Sequence, residues 1–302
     1  MNPLRVQGIL FCVLALLVAT ASGFFAAPYN AAGVAVLASV IVLFGVPHGA
    51  LDTVFANRLY GVNSFAGWVA FTSGYLLLVG FTVLLWRLAP MAFLIGFLAI
   101  SALHFSGDPT AGSPWYSRLL RGGAVIVLPA LFHADEEGRL LALISGPPAS
   151  ASIIACLQML SPGWLVAMIV VAIVGARYDW LSSLEMISTA GLALFAAPLL
   201  AFTLFFCGMH SARHILRTIQ FSRKQSGQSV LGSAIRSATF PMLGALAIFF
   251  FGFFQLRHLE LETRVIQVLF VGLAALTVPH MLLVERVRLW RIWRSLRKTD
   301  VS

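Results

Sequence analysis

Between Phe65 and Leu88 the chain carries a single charge, Arg87, and comparable apolar runs recur from Gln7 to Val284. A run of this length crosses the ~30 Å hydrocarbon core of a bilayer as a helix, which satisfies its own backbone N–H and C=O groups where no water can. Only 10% of the residues are charged and 60% are hydrophobic, against about 25% charged in an ordinary soluble domain. The expected fold is therefore all-α: a polytopic transmembrane helix bundle, a single integral membrane domain over residues 1–302.

The apolar runs predict about ten spans, at 7–25, 31–57, 65–88, 90–105, 118–132, 163–176, 184–197, 199–221, 233–255 and 265–284, with a basic tail over 286–302. Arg5 and the small residues from Ala19 to Gly23 resemble a signal peptide. The run stays apolar past any cleavage point, so it reads as an uncleaved first span. Gly146, Pro147 and Pro148 break the chain, and 153–160 reads as an interfacial or re-entrant helix. Pro198 divides two spans that a kinked single helix would otherwise merge.

With ten spans and both termini in the cytoplasm, 16 of the 20 Lys and Arg fall on the cytoplasmic side. Arg87, Arg139, Arg257 and Arg264 fall outside, with the acidic patch from Asp135 to Glu137. Insertion favours this asymmetry. It accounts for the net charge of +9 without a nucleic-acid partner, and it places the chain in the cell (cytoplasmic) membrane as a multi-pass protein. Cys12, Cys156 and Cys207 lie in apolar runs with no CxxC, so neither a disulfide framework nor a zinc ribbon is expected. No phosphate-binding glycine pattern occurs, and Ser211 has no base-and-acid arrangement beside it.

The chemistry is carried by histidine. His210 and His214 in Cys207-Gly-Met-His-Ser-Ala-Arg-His214 are four residues apart, on one face of a regular helix. Such a pair can ligate one ion, or it can face lipid headgroups. His48 follows Pro47 and precedes Gly49, with Asp52 one turn on. Asp52 there can orient the imidazole, ligate metal, or simply bind His48. His104 repeats the order, with Asp108 four residues later. His48, His104 and the His210–His214 pair sit at the ends of even-numbered spans, so all reach the cytoplasmic side. Ionisable groups at one depth in a membrane are costly and point to a shared site. His280, after Pro279, is a fifth candidate, in the site or as a packed polar contact; His133 and His258 fall on the outer surface. Imidazoles from three helices suit a first-row metal, and an all-nitrogen site with an open position suits Fe(II) and dioxygen. A di-iron hydroxylase or desaturase is the alternative, although it needs about eight such ligands. A haem-binding or transport protein is a further one.

Val46-Pro-His48-Gly-Ala-Leu-Asp52, Leu103-His104-Phe-Ser-Gly-Asp108 and Met209-His210-Ser-Ala-Arg-His214 resemble the three histidine blocks of the Brp/Blh family. That family comprises membrane enzymes that cleave β-carotene at its central double bond to retinal, the chromophore of microbial rhodopsins. The resemblance runs from the second span to His280. It implies a non-haem iron, Fe(2+), held by His48, His104, His210 and His214, with Asp52 nearby; Asp52, Asp108 and His280 are candidates to support these ligands from outside. It also implies a carotenoid substrate drawn from the lipid phase, O2 as co-substrate, and a functional link to a retinal-binding rhodopsin. A carotenoid is about as long as the ~30 Å core is thick. Its midpoint lies near the bilayer centre, whereas these ligands are expected nearer one face, so either the substrate tilts or the spans run longer than drawn.

Overall fold

A computed structural model describes residues 2–24, 30–50, 52–108, 113–226 and 230–299. Side chains are described over the same stretches except at 48, 54, 55, 58, 59, 221–226, 230–238 and 284–299. Among the described residues every regular element is helical: α1 (Pro3–Ser22), α2 (Ala31–Ala50), α3 (Asp52–Tyr60), α4 (Phe65–Leu88), α5 (Pro90–Phe105), α6 (Trp115–Val127) and α7 (Pro129–Phe132), followed by α8 (Ala134–Ser145), α9 (Pro147–Gly175), α10 (Trp180–Phe195) and α11 (Pro198–Leu204), a π-helical segment (Phe205–Ser211), α12 (Ala212–Ser226), α13 (Val230–Gln255) and α14 (Leu261–Thr299).

Among the described residues five helices are long and apolar enough to cross a membrane: Pro3–Ser22, Phe65–Leu88, Pro147–Gly175, Pro198–Gln220 and Leu261–Leu283. Four shorter apolar helices accompany them, Ala31–Pro47, Pro90–Phe105, Trp180–Phe195 and Thr239–Gln255. Outward-facing Leu17, Leu77 and Phe250 are exposed, as lipid-facing side chains are.

Several boundaries differ from the sequence expectation. The run 118–132 divides into α6 and α7, where Pro129 opens a new helix. The segment expected as a separate piece at 153–160 joins 163–176 in one helix, α9, which carries Pro162 inside it. Neighbouring helices make such a proline tolerable by re-satisfying the freed backbone. The basic tail does not leave the last helix, because α14 runs on to Thr299. The breaks at Pro198 and at Gly146 fall where expected. Ala196 and Ala197 are extended, the conformation a following proline imposes. Gly146 has φ +85°, open to glycine at little cost, and Pro147 then starts α9 at the first helical position.

The core lies where α1, α2, α5, α10, α11 and the π segment meet, with Phe11, Ile41, Phe93, Phe105, Phe205 and Met209 packed together. α1 lies along α10, α5 lies between α4 and α6, and α2 packs on α14, α13 and the π segment. Between helices in lipid, close packing and polar contacts hold the bundle rather than water exclusion. Gly122 of α6 shows how close: a Cβ there would meet the backbone of α5 at Ala102, Phe105 and Ser106.

Candidate active site

His104 is the penultimate residue of α5. The chain then turns through Ser106 and Gly107, and Asp108 is buried at 4% exposure. Both Asp108 carboxylate oxygens lie 3.0 Å from Nδ1 of His210. The other ring nitrogen of His210, Nε2, lies 2.9 Å from Nε2 of His104. Asp108 therefore serves the histidine of a different helix, not the one four residues before it.

The π segment positions His210. Its i→i+5 bonding adds a residue to the turn. The two rings meet different partners: His210 packs on His104 with centroids 4.4 Å apart, and His214 packs on His280 at 5.3 Å. His104 and His280 are themselves 4.9 Å apart, so His210, His104, His280 and His214 form one chain of imidazoles. His210 is the thirteenth of the 23 residues of the apolar segment Pro198–Gln220. It sits midway along that helix rather than at its end.

His280, a fifth candidate from the sequence, lies inside the cluster. Its Nδ1 is 2.6 Å from Oδ1 of Asp52, and both residues are 3% exposed. Asp52, expected to serve His48, is engaged across the bundle with His280. Its other oxygen accepts a hydrogen bond from the Tyr75 hydroxyl of α4 at 3.2 Å. The side chain of His48 lies outside the described residues; its backbone follows Pro47 in α2.

Two His–carboxylate pairs thus hold Nδ1 of His210 and of His280. A carboxylate on Nδ1–H makes Nε2 the lone-pair donor of a neutral imidazole and fixes the ring. This donor set has the chemistry of a transition-metal centre. Among the described residues, no group of three or more His, Cys, Asp or Glu side chains closes a metal sphere as it stands.

Behind the cluster lies an ion network that the sequence reading did not single out. Glu185 of α10, 3% exposed, takes Arg213 at 2.6 and 3.1 Å and Arg121 of α6 at 2.9 Å. Arg217 donates to the carbonyls of Gly107 and Asp108 at 3.0 and 2.6 Å, which pins the turn that carries Asp108. Removing the carboxylate of Glu185 would leave two buried guanidinium groups uncompensated, a loss of about 3–5 kcal/mol in such settings. The signal was present in the sequence: Glu185 is the one acid in the long apolar stretch from Leu181 to Phe206, and an ionisable residue inside a span marks function by default. Tyr75 carried no comparable signal, because aromatic residues are common throughout this chain.

A cavity of 740 Å³ opens against the cluster, within the range of small-molecule sites. His104 and His280 form part of its wall, with Asp52 and Tyr75 beside them. The rest is mostly aromatic and aliphatic, including Trp68, Phe71, Phe97, Phe202, Phe206 and Phe249, with Thr72, Ser101 and Thr277 among them. Phe206 reaches this position because Gly45 of α2 leaves room for its ring. Such a chamber offers flat apolar faces and presents imidazole at one point on its surface. His133 lies apart, with Nε2 3.1 Å from the carbonyl of Leu194, and Cys12, Cys156 and Cys207 are free thiols.

Comparison with known proteins bears on what this arrangement does. The family model that matches residues 39–288 is described as beta-carotene 15,15'-dioxygenase. The chain is 30% identical over 263 residues to the beta-carotene 15,15'-dioxygenase of uncultured marine bacterium 66A03, covering 82% of this chain and 91% of that protein. No solved structure matches the chain.

Proposed function

This chain belongs to the beta-carotene 15,15'-dioxygenase family, and we propose that it cleaves β-carotene, or a closely related carotenoid, at the central double bond to give retinal. The observation that carries the reading is the aromatic cavity with His104 and His280 in its wall, backed by the Asp108–His210 and Asp52–His280 pairs. A polyene needs a long, dry, flat-walled slot. The cavity supplies the walls, and the imidazole cluster supplies a reactive point on them.

In this reading Fe(2+) is held by His104, His210 and His214, with His48 as the fourth ligand that the family resemblance implies and His280 beside them. The chemistry of the donors supports the assignment: imidazoles, two of them buttressed by carboxylates through Nδ1. When bound, the ion supplies the redox chemistry with O2 that no side chain of this chain can supply. The protein does the rest. Asp108 and Asp52 hold the imidazoles in orientation, and Arg217 holds the turn bearing Asp108. Phe202, Phe206 and Phe97 keep water from the double bond and fix the polyene against the cluster. One O2 and one C=C give two aldehydes, so no proton or external reductant enters the balance.

The substrate enters from lipid, and the protein resides in the cytoplasmic membrane with both termini inside, as the Lys and Arg distribution favours. The retinal formed suits a retinal-binding rhodopsin as its acceptor. The mid-helix position of His210 in Pro198–Gln220 brings the cluster toward the level of a carotenoid's midpoint and eases the mismatch of depth noted from the sequence.

The test is expression in a β-carotene-producing host, with pigment and aldehyde analysis of the membranes. Retinal accumulation at the expense of β-carotene, with label from 18O2 in the aldehydes, is the expected result. Unchanged carotenoid with no aldehyde would remove the proposal.

A further inference from the structure

We propose that α1 is a working part of the histidine site: through Gln7 it fixes the backbone of the π segment and so the position of His210. The inference rests on reading the His104–His210 cluster as the reaction centre. It adds a positioning residue from a helix that lies outside the family match of residues 39–288.

Gln7 is 9% exposed on a mostly apolar helix. Burying an amide in such surroundings is costly unless its bonds are met. They are met by the site. Nε2 of Gln7 donates to the carbonyl of Gly208 at 2.7 Å, inside the π segment and two residues before His210. Oε1 of Gln7 accepts from Nε of Arg213 at 2.9 Å, three residues after it. One amide therefore ties the backbone before His210 to the Arg213 side chain after it. An amide is suited to this because it donates and accepts at once. Glutamate would keep the bond from Arg213 and lose the one to Gly208.

The neighbours of Gln7 share the task. A Cβ on Gly8 would run into the Glu185 carboxylate, which Arg213 holds at 2.6 Å. Phe11, one turn on from Gln7, packs edge-on against Phe205 and lies close over Gly208. α1 thus presents Gln7, Gly8 and Phe11 to the segment Phe205–Arg213. A π turn is a strained, widened piece of helix that recurs at functional sites, and outside contacts select its register.

Three measurements on the full-length protein test this. Wild type, Gln7→Leu, Gln7→Glu and, as a control on the exposed face of α1, Leu10→Ala are compared. The intact mass of the purified wild type is expected to include residues 1–24. Hydrogen–deuterium exchange of the peptide covering 205–211 is expected to quicken in Gln7→Leu and Gln7→Glu and to stay unchanged in Leu10→Ala. Iron retention against a chelator is expected to fall on the order of 10-fold, the cost typical of losing a group that orients a ligand, with kcat falling in step and KM holding. A mature protein lacking residues 1–24 would overturn the proposal. So would unchanged exchange at 205–211, or quickened exchange with wild-type kcat and iron retention. If wild type makes no retinal and binds no iron, the carotenoid reading fails by itself, and mass and exchange still decide the role of Gln7.

Discussion

The Nε2 atoms of His104 and His210 lie 2.9 Å apart, although 106 positions separate the two residues in the chain. A neutral His210 that gives its Nδ1–H to Asp108 keeps a lone pair on Nε2. That lone pair either accepts a proton bond from His104 or joins it on one ion. Two nitrogens at right angles on a metal with bonds of about 2.1 Å are separated by roughly 3.0 Å, so the spacing suits both arrangements.

His104→Ala and His210→Ala separate these roles from mere packing. Each is expected to lower retinal formation by on the order of 100-fold or more, beyond the typical cost of disturbing an outer support, and to lower iron per protein measured by mass spectrometry. Normal iron content and turnover in either variant would take that residue out of the centre.

Tyr75→Phe removes the hydroxyl that Asp52 receives at 3.2 Å and leaves the aromatic wall of the cavity in place. Turnover is expected to drop by about tenfold with little change in KM, since a hydrogen bond to a charged group contributes roughly 1.5–3 kcal/mol. Asp52→Asn, which weakens the hold on His280 directly, is expected to cost more. Steady-state kinetics on carotenoid in detergent micelles orders the two.

Gly122→Ala introduces a methyl group that meets the carbonyl of Ala102 and the amide of Ser106, backbone atoms flanking His104. The α5–α6 contact must open, at about 1–3 kcal/mol for overpacking, and His104 moves with it. Both thermal midpoint and activity are expected to fall. Gly96→Ala, on α5 with nothing within 4 Å of the added carbon, serves as the comparison and is expected to leave both unchanged.

Glu137, 7% exposed on α8, has its carboxyl pushed well above the ordinary value of 4.5 by burial. The folded protein therefore favours the neutral acid. Below about pH 4.5 this costs nothing, because both states are protonated. As pH rises from 4.5 toward the raised folded value, the unfolded chain ionises first and stability declines. Glu137→Gln is expected to flatten that decline and to raise the thermal midpoint at pH 7–8. Melting curves of both proteins between pH 4 and 8 check the sign.

Much of this site was legible before any fold was known. Imidazole and carboxylate inside apolar runs are too costly to be incidental, which singled out His104, Asp108, His210 and Asp52. The pairing was not legible. Spacing four apart suggested that Asp52 serves His48 and Asp108 follows its own His104, because i and i+4 are neighbours on a helix. The chain leaves the helix at Phe105, and Asp108 turns instead toward the π segment. His280 stayed undecided because nothing local shows which way a residue after a proline faces. Glu185 was readable as an acid in an apolar run, whereas Gln7 and Tyr75 were not, since their roles exist only through partners far along the chain.

Local composition alone dictated long helices, their lipid-facing surfaces and the breaks at Gly146 and Pro198, because backbone groups in hydrocarbon must bond within their own segment and proline and glycine act on their immediate neighbours. Which carboxylate holds which imidazole was decided by tertiary packing. His210 finds Asp108 across 102 positions and His280 finds Asp52 across 228. No periodicity in a sequence encodes contacts of that range; they follow from how close Gly45, Gly122 and the widened turn at Phe205–Ser211 let the helices approach.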